Sequence, residues 1–314
     1  MLHIDSDQMD RVLTFPKIID ALEAAFIGNW NTPMRAHHTV NGIGEDKTLL
    51  LMPCWTDSSS TPYIGVKIAT VTPENATRSL PSIFGLYYLM NGQTGQPLAT
   101  MDGTRLTVWR TAAASALASK YLSRPDSKVL TMIGAGALSP FMIKAHMAVR
   151  PIEEVLLWNH NIHNAHTLAE KLQAEGLPVT AHPDLVSAIS RSDIVSAATL
   201  TKTPLIHGKW LKPGTHVDSV GAFTPEMRET DDDVVKTATI FCDTFAGGLK
   251  EAGDLVIPIN AGVITKEDVV ADLYALAREE HKGRTSAQEI TYFKSVGTAL
   301  EDLAGAVAIW DSVR

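Results

Sequence analysis

Three cations stand in surroundings that ought to exclude them. Lys67 lies within the apolar run YIGVKIATV, where an ammonium is costly to bury unless it meets an anion or loses its proton. Arg110 sits at WRTAAAS, in an alanine-rich stretch otherwise suited to burial, and Arg35 follows Pro33 and Met34 at a loop-to-strand boundary. An arginine so placed clamps a small carboxylate through two parallel hydrogen bonds. A lysine with a tuned pKa polarises a carbonyl or imine, or relays a proton. The alternative for each is a side chain that snorkels to the surface. His37 and His38 are adjacent, so on a strand they face opposite ways; one could approach a pocket, or neither is functional.

A second constellation implies different chemistry. Gly134, Ala135, Gly136, Ala137, Leu138 and Ser139 form a G-x-G-x-x-S run that follows an apolar strand pattern and opens a helix pattern. In that context the first glycine permits a tight turn and the second lets the backbone approach a pyrophosphate. The third position needs a small residue for close packing of helix on strand, and Ser139 is small enough. Helix N-terminal amides would hold the phosphates. At the end of the next strand, where an Asp or Glu binds the ribose of NAD, the chain reads Asn159, His160, Asn161. A 2′-phosphate is not repelled there, which favours NADP(H) and leaves NAD(H) open. No arginine follows Asn159, and His160 would be a poorer phosphate clamp. The other reading of the glycines is a turn in some different α/β sheet.

These residues need elements to carry them. A helix is expected over 16–30, with Ile18, Ile19, Leu22, Ala25 and Phe26 at helical spacing. The apolar runs at 48–53, 63–71 and 83–90, separated by turn residues, read as antiparallel strands. A long helix follows at 106–122. From 127 onward strands and helices alternate, which predicts a parallel sheet with helices on both faces. Strands are expected at 155–159, 177–182, 193–199, 215–222 and 239–245, with helices at 139–149, 162–175 and 184–190. The stretch 285–313 reads as helical.

With 314 residues, two domains are the better expectation. The formal net charge of −8 disfavours a nucleic-acid partner. No run of 18 apolar residues predicts a membrane span, and the N-terminal residues lack the basic-then-apolar order of a secretory signal. Cys54 and Cys242 have no CxxC partner, so buried thiols in a reducing cytoplasm are expected rather than a disulfide. No zinc spacing and no G-x-S-x-G elbow is present, so no metal is expected.

Over nearly its whole length the chain resembles the ornithine cyclodeaminase/μ-crystallin family. The matching stretches are LMP (51–53), GVKIATVTPEN (65–75), LATMDGTRLTVWRTAAASALAS (98–119), IGAGALS (133–139), LLWN (156–159), KPGTHVDSVGA (212–222) and GRTSAQEITYFKSVGTALEDLA (283–304). The resemblance implies an α/β protein with two parts. One is an α+β substrate-binding and dimerisation domain with a mostly antiparallel sheet, residues 1–118 completed by 290–314. The other is a Rossmann-type dinucleotide-binding domain, residues 119–289. It implies a homodimer, whose assembly would also cover antiparallel edge strands. It matches Lys67, Arg110 and Arg35 to substrate-contacting cations, and Asp102 to a residue that orients them. A turn or cap is the other role open to Asp102. Ala198 and Thr199 match a cofactor-contacting turn, and Ser295, Val296 and Gly297 a loop at the nicotinamide end.

One departure is informative. The cyclodeaminases share a V-G-G-D stretch whose Asp is catalytic, whereas this chain reads Val220, Gly221, Ala222, Phe223, and Leu50 stands where an acid is expected before LMP. Deamination is therefore disfavoured. GALSPFMIKAH, RPI and LLWN look most like the bacterial Δ1-pyrroline-2-carboxylate/Δ1-piperideine-2-carboxylate reductases. The resemblance thus implies NAD(P)H-dependent reduction of a cyclic imino acid. A lyase that recycles NAD, an amino-acid dehydrogenase and a non-catalytic crystallin-like binding protein are the alternatives.

Overall fold

Residues 1–41, 47–56, 62–78 and 80–314 are described by the computed structural model. Contacts divide them into Met1–Arg110 with Thr298–Arg314, and Thr111–Gly297.

The first unit opens with β1 (Leu2–Ile4), α1 (Ser6–Val12) and α2 (Phe15–Ile27). Asp5 and Gln8 close a capping box on α1. Thr14 caps α2, and a proline lies in its first turn. The helix stops at Ile27, short of the expected residue 30, because Trp30–Asn31 is already a strand, β2, paired with β4. Then follow β3 (Ala36–Val40), β4 (Lys47–Thr56), β5 (Tyr63–Val71), β6 (Ile83–Asn91), β7 (Pro97–Asp102) and α3 (Gly103–Leu122). The sheet order is β1-β7-β6-β5-β4-β2, with β3 also on β4; among the described residues only the β1–β7 pair is parallel.

Strand alternation decides what is buried. Tyr63, Gly65, Lys67 and Ala69 of β5 are buried, while Ile64, Val66, Ile68 and Thr70 face the other way. The helix Ala299–Val313 (α11 in chain order among the described residues) packs on α2 and on β4, β5 and β6, covering that face.

The second unit contains β8 (Val129–Ile133), α4 (Ser139–Val149), β9 (Glu154–Trp158), α5 (Ile162–Ala174), β10 (Val179–Ala181), α6 (Leu185–Arg191), β11 (Ile194–Ala197) and β12 (His216–Ser219). It continues through α7 (Asp232–Thr237), β13 (Thr239–Cys242), α8 (Phe245–Glu251), α9 (Gly253–Asn260), β14 (Val269–Asp272), α10 (Leu273–Ala277) and β15 (Thr291–Lys294). All eight strands are parallel, in the order β10-β9-β8-β11-β12-β15-β13-β14. The chain winds outward in both directions from β8 and β11. Ligands bind such sheets at this switch point, beyond the carboxyl ends of the strands.

Two expectations are corrected here. The stretch 285–313 is not one helix, because Thr291–Lys294 is β15, wedged between β12 and β13. Its β-branched and aromatic residues favour a strand, and four residues are too few to show a period. For the same reason 290–297 belongs with the second unit and not with 1–118; the other division falls inside α3, at Arg110 and Thr111. The strand β14, four residues at the sheet edge, also escapes the periodicity reading. Among the described residues no helix is long and apolar enough to cross a membrane.

Candidate functional site

In the first unit the two strongest cation candidates meet on one acid. Lys67 on β5 and Arg110 on α3 are 3% and 5% exposed. The Lys67 ammonium lies 2.8 Å from both carboxylate oxygens of Asp302, with hydrogen-bond geometry to Oδ1, and 3.4 Å from the Thr107 hydroxyl. Arg110 donates from Nε to Asp302 Oδ1 at 3.1 Å and from Nη1 to Glu301 Oε2 at 2.7 Å. Both acids are fully buried at the start of α11. Burial pulls the Lys67 pKa down to about 8. Asp302 works against that fall, while Arg110 and the half-buried Arg35 add to it. The result is a buried ammonium with a pKa of about 8, beside an Arg110 guanidinium that Asp302 and Glu301 hold in place.

Asp102 takes its other possible role. Its Oδ1 accepts from the backbone N–H groups of Thr104 and Arg105, at 2.9 Å each, and so caps α3. Asp302, not Asp102, is the acid that touches Lys67 and Arg110. His37 and His38 are both exposed on β3. Cys54 and Cys242 are buried free thiols; burial pushes Cys54 up to about 12, which keeps it protonated and inert.

The second unit holds the glycine run at the carboxyl end of β8. A cavity of about 420 Å³ is lined by Gly134, Gly136, Asn159, His160, Ala198 and Thr199, together with Ala135, Trp158, Leu200, Thr201 and Leu205. Gly134 has φ +108°, and a Cβ there would sit 2.9 Å from the Ala198 carbonyl oxygen. Asn159 accepts a 3.3 Å hydrogen bond from the Ala135 N–H, tying the glycine loop to the end of β9. Ser139 is fully buried and donates to the Gly134 carbonyl, so its hydroxyl finds a partner in the tight helix–strand contact. No side chain caps the N-terminus of α4 at Leu138; the N–H groups of Ser139 and Phe141 donate to the Gly136 and Leu138 carbonyls, and Pro140 has none. Ala137, Leu138, Ser139, Asn161 and 295–297 do not line the cavity itself. Asn161 caps α5. Ser295, Val296 and Gly297 are gathered on the Asp243 carboxylate, which accepts from the Ser295 hydroxyl and from the N–H groups of Val296 and Gly297.

A Cβ on Gly136 would meet nothing within 4 Å. The space is open, and at the second glycine of such a run the backbone of a dinucleotide site approaches the pyrophosphate. We therefore expect Gly136→Val to leave unfolding free energy within about 1 kcal/mol of the parent while weakening NADPH and NADH binding by about 30-fold or more. Chemical denaturation and fluorescence titration check the two arms; unaltered binding would refute the cradle.

The residue pattern of the ornithine cyclodeaminase/mu-crystallin family matches residues 3–314. The chain belongs to that family. The chain is 43% identical to the protein SAR DEFICIENT 4 of Arabidopsis thaliana, over 90% of this chain and 87% of that one. It is 35% identical to a Δ1-pyrroline-2-carboxylate reductase of Colwellia psychrerythraea, over 98% and 97%. The Thermococcus litoralis Δ1-pyrroline-2-carboxylate reductase, solved with NADH and L-proline, superposes with TM-score 0.93 at 34% identity, over 99% of this chain and 97% of that one. Phe223, at the position where the resemblance to cyclodeaminases would call for an acid, is half-buried against the apolar core of the second unit. Leu50 lies on β4 opposite Ala69, on the Lys67 face of the sheet, and adds no charge there.

Proposed function

We propose that this chain reduces a cyclic α-imino acid, Δ1-pyrroline-2-carboxylate or its six-membered homologue Δ1-piperideine-2-carboxylate, to L-proline or L-pipecolate. The observation that carries the reading is the buried pair Lys67 and Arg110 on one carboxylate, Asp302, with Arg35 near enough to act on Lys67. The reductase named among the relatives supports it. Arg110, assisted by Arg35, holds the substrate carboxylate. Lys67 stands beside the imine nitrogen and delivers its proton, because a protonated imine accepts hydride more readily. Asp302 keeps both cations oriented. A bound nicotinamide dinucleotide supplies the hydride, so the imine gains a hydride at carbon and a proton at nitrogen.

NADPH is the favoured donor in this reading and NADH a usable one. Asn159, His160 and Asn161 place no carboxylate at the end of β9, while the Thermococcus litoralis relative is bound to NADH. The functional particle is read as a homodimer. Leu49, Leu51 and Trp55, Ile64, Val66 and Ile68, and Phe84 and Leu86 share the outer face of the first sheet, and Trp55, Ile68, Phe84 and Leu86 are exposed. Exposed apolar side chains grouped on one sheet face suit an interaction surface. A monomeric mass by light scattering would remove that part of the reading.

The test is oxidation of NADPH and NADH over a panel of cyclic imines, α-keto acids with amines, and ornithine. Stoichiometric loss of reduced dinucleotide with a cyclic imine is expected. Ammonia release from ornithine without net dinucleotide turnover would overturn the proposal. The pH profile adds a second check. Lys67 carries its proton below about pH 8 and loses it above, so kcat/KM for reduction falls about tenfold per unit above that value. Oxidation of L-proline rises through the same range. A reduction profile that stays flat across it counts against Lys67 as the donor.

A further inference from the structure

We propose that Glu229 is a positioning residue for the dinucleotide cavity, its carboxylate fixing the loops after β11 and β12. The proposal rests on the dinucleotide reading of that cavity. Glu229 is fully buried. Its Oε1 accepts from the Thr199 N–H at 2.7 Å and the Thr199 hydroxyl at 2.8 Å. Its Oε2 accepts from the Ser219 hydroxyl at 2.6 Å and the N–H groups of Gly221 and Ala222 at 2.8 and 3.2 Å. Its backbone carbonyl accepts from Leu205 and Ile206, and the neighbouring Arg228 N–H reaches the Thr201 carbonyl. Thr199, Thr201 and Leu205 are three of the cavity-lining residues. One short segment, 228–229, therefore holds Thr199, Thr201 and Leu205 of that lining in place.

The two loops touch so closely that a Cβ on Gly221 would lie 2.0 Å from the Thr199 carbonyl oxygen. The Gly134 turn rests against the same loop, at Ala198 and Thr199. A shift at Glu229 is thus transmitted directly to the phosphate-binding turn. A second acid anchors Glu229 itself: Asp254 Oδ1 accepts from the N–H groups of Glu229 and Thr230. Lys294 on β15 lies 2.9 Å from Asp254 and 3.8 Å from Glu229. Buried ion clusters add little net stability, but removing one member leaves the rest uncompensated. What this one delivers is a fixed spacing between loops that the strands alone would not impose.

Glu229→Gln keeps the shape but turns one acceptor into a donor facing N–H and O–H donors. We expect the dissociation constants of NADPH and NADH, by fluorescence titration, to rise about tenfold or more. The KM for the cyclic imino acid should move less than about threefold. Asp193→Asn is the control. Asp193 accepts from the Lys128 and Val129 N–H groups at the opposite, N-terminal end of the sheet, so its loss should lower stability without weakening dinucleotide binding. Equal binding losses in the two variants, or a rise in the KM for the cyclic imino acid that matches the rise in the dissociation constants, would overturn the proposal. Should Glu229→Gln fail to fold, Ser219→Ala removes one donor to the same oxygen. A rise of about threefold in the dinucleotide constant is then expected, and no change overturns the idea. Because binding is read directly, a wild type that binds dinucleotide but reduces no imine sinks the reductase reading alone. A wild type that binds neither dinucleotide sinks this one.

Discussion

Lys67→Met is expected to lower kcat/KM for the cyclic imino acid by about a thousandfold while the dissociation constant for NADPH stays within about twofold. Methionine fills nearly the same volume, so lost packing is not the cause. What disappears is the Lys67 ammonium on Asp302 and, on the proposed mechanism, the proton for the imine nitrogen. Arg110 cannot substitute, because a guanidinium does not release a proton in this pH range. The descending limb of the pH profile should vanish together with the rate. Turnover near that of the parent would remove Lys67 from the chemistry, whatever the family relationship.

The second large effect is on Asp302. Asp302→Asn takes the shared carboxylate from two buried cations, Lys67 and Arg110, with Arg35 nearby and Glu301 still on Arg110. Removing one partner from a buried ion cluster costs about 3–5 kcal/mol, readable as a lower denaturant midpoint with unaltered slope. The sign with pH is fixed as well. Asp302 is what raises the Lys67 pKa against burial, so the limb near pH 8 should move to lower pH in the variant. The folded Lys67 then binds its proton less readily than the unfolded one over a wider interval, and stability climbs as pH rises through it. A limb that stays put, or moves to higher pH, would show that Asp302 does not control Lys67.

The residues that sequence reasoning found and those it missed differ in one physical respect. Lys67 and Arg110 are legible because each is a charge inside an apolar pattern, a local contradiction. The glycine run is legible because phosphate binding needs small residues at fixed spacing between a strand and a helix. Asp302 is illegible for the opposite reason. At the start of ALEDLAGAVAIWDSV an acid is what a helix N-terminus ordinarily carries, and its partners lie 235 and 192 residues away. Glu229, Asp243 and Asp254 have the same disguise: polar residues in loops and first turns whose partners are distant backbone amides. Asp102 shows the reverse error. The family match offered an orienting acid and the sequence a cap, and its own neighbours two and three residues on take its Oδ1 as a cap. The parallel sheet was readable where strand and helix alternate plainly, and lost at β14 and β15, where four-residue strands carry no period.

The acids that neutralise Lys67 and Arg110 stand on α11, which follows the entire second unit in the chain. On a translating ribosome, β5 and the start of α3 therefore emerge with their buried charges uncompensated. They wait while Thr111–Gly297 is made, about 10–40 s at roughly 5–20 residues per second. The uninterrupted second unit can close during that interval, whereas the nascent first sheet must remain open on the face that α11 later seals. Its apolar strands are then the segment of the newborn polypeptide most in need of a chaperone.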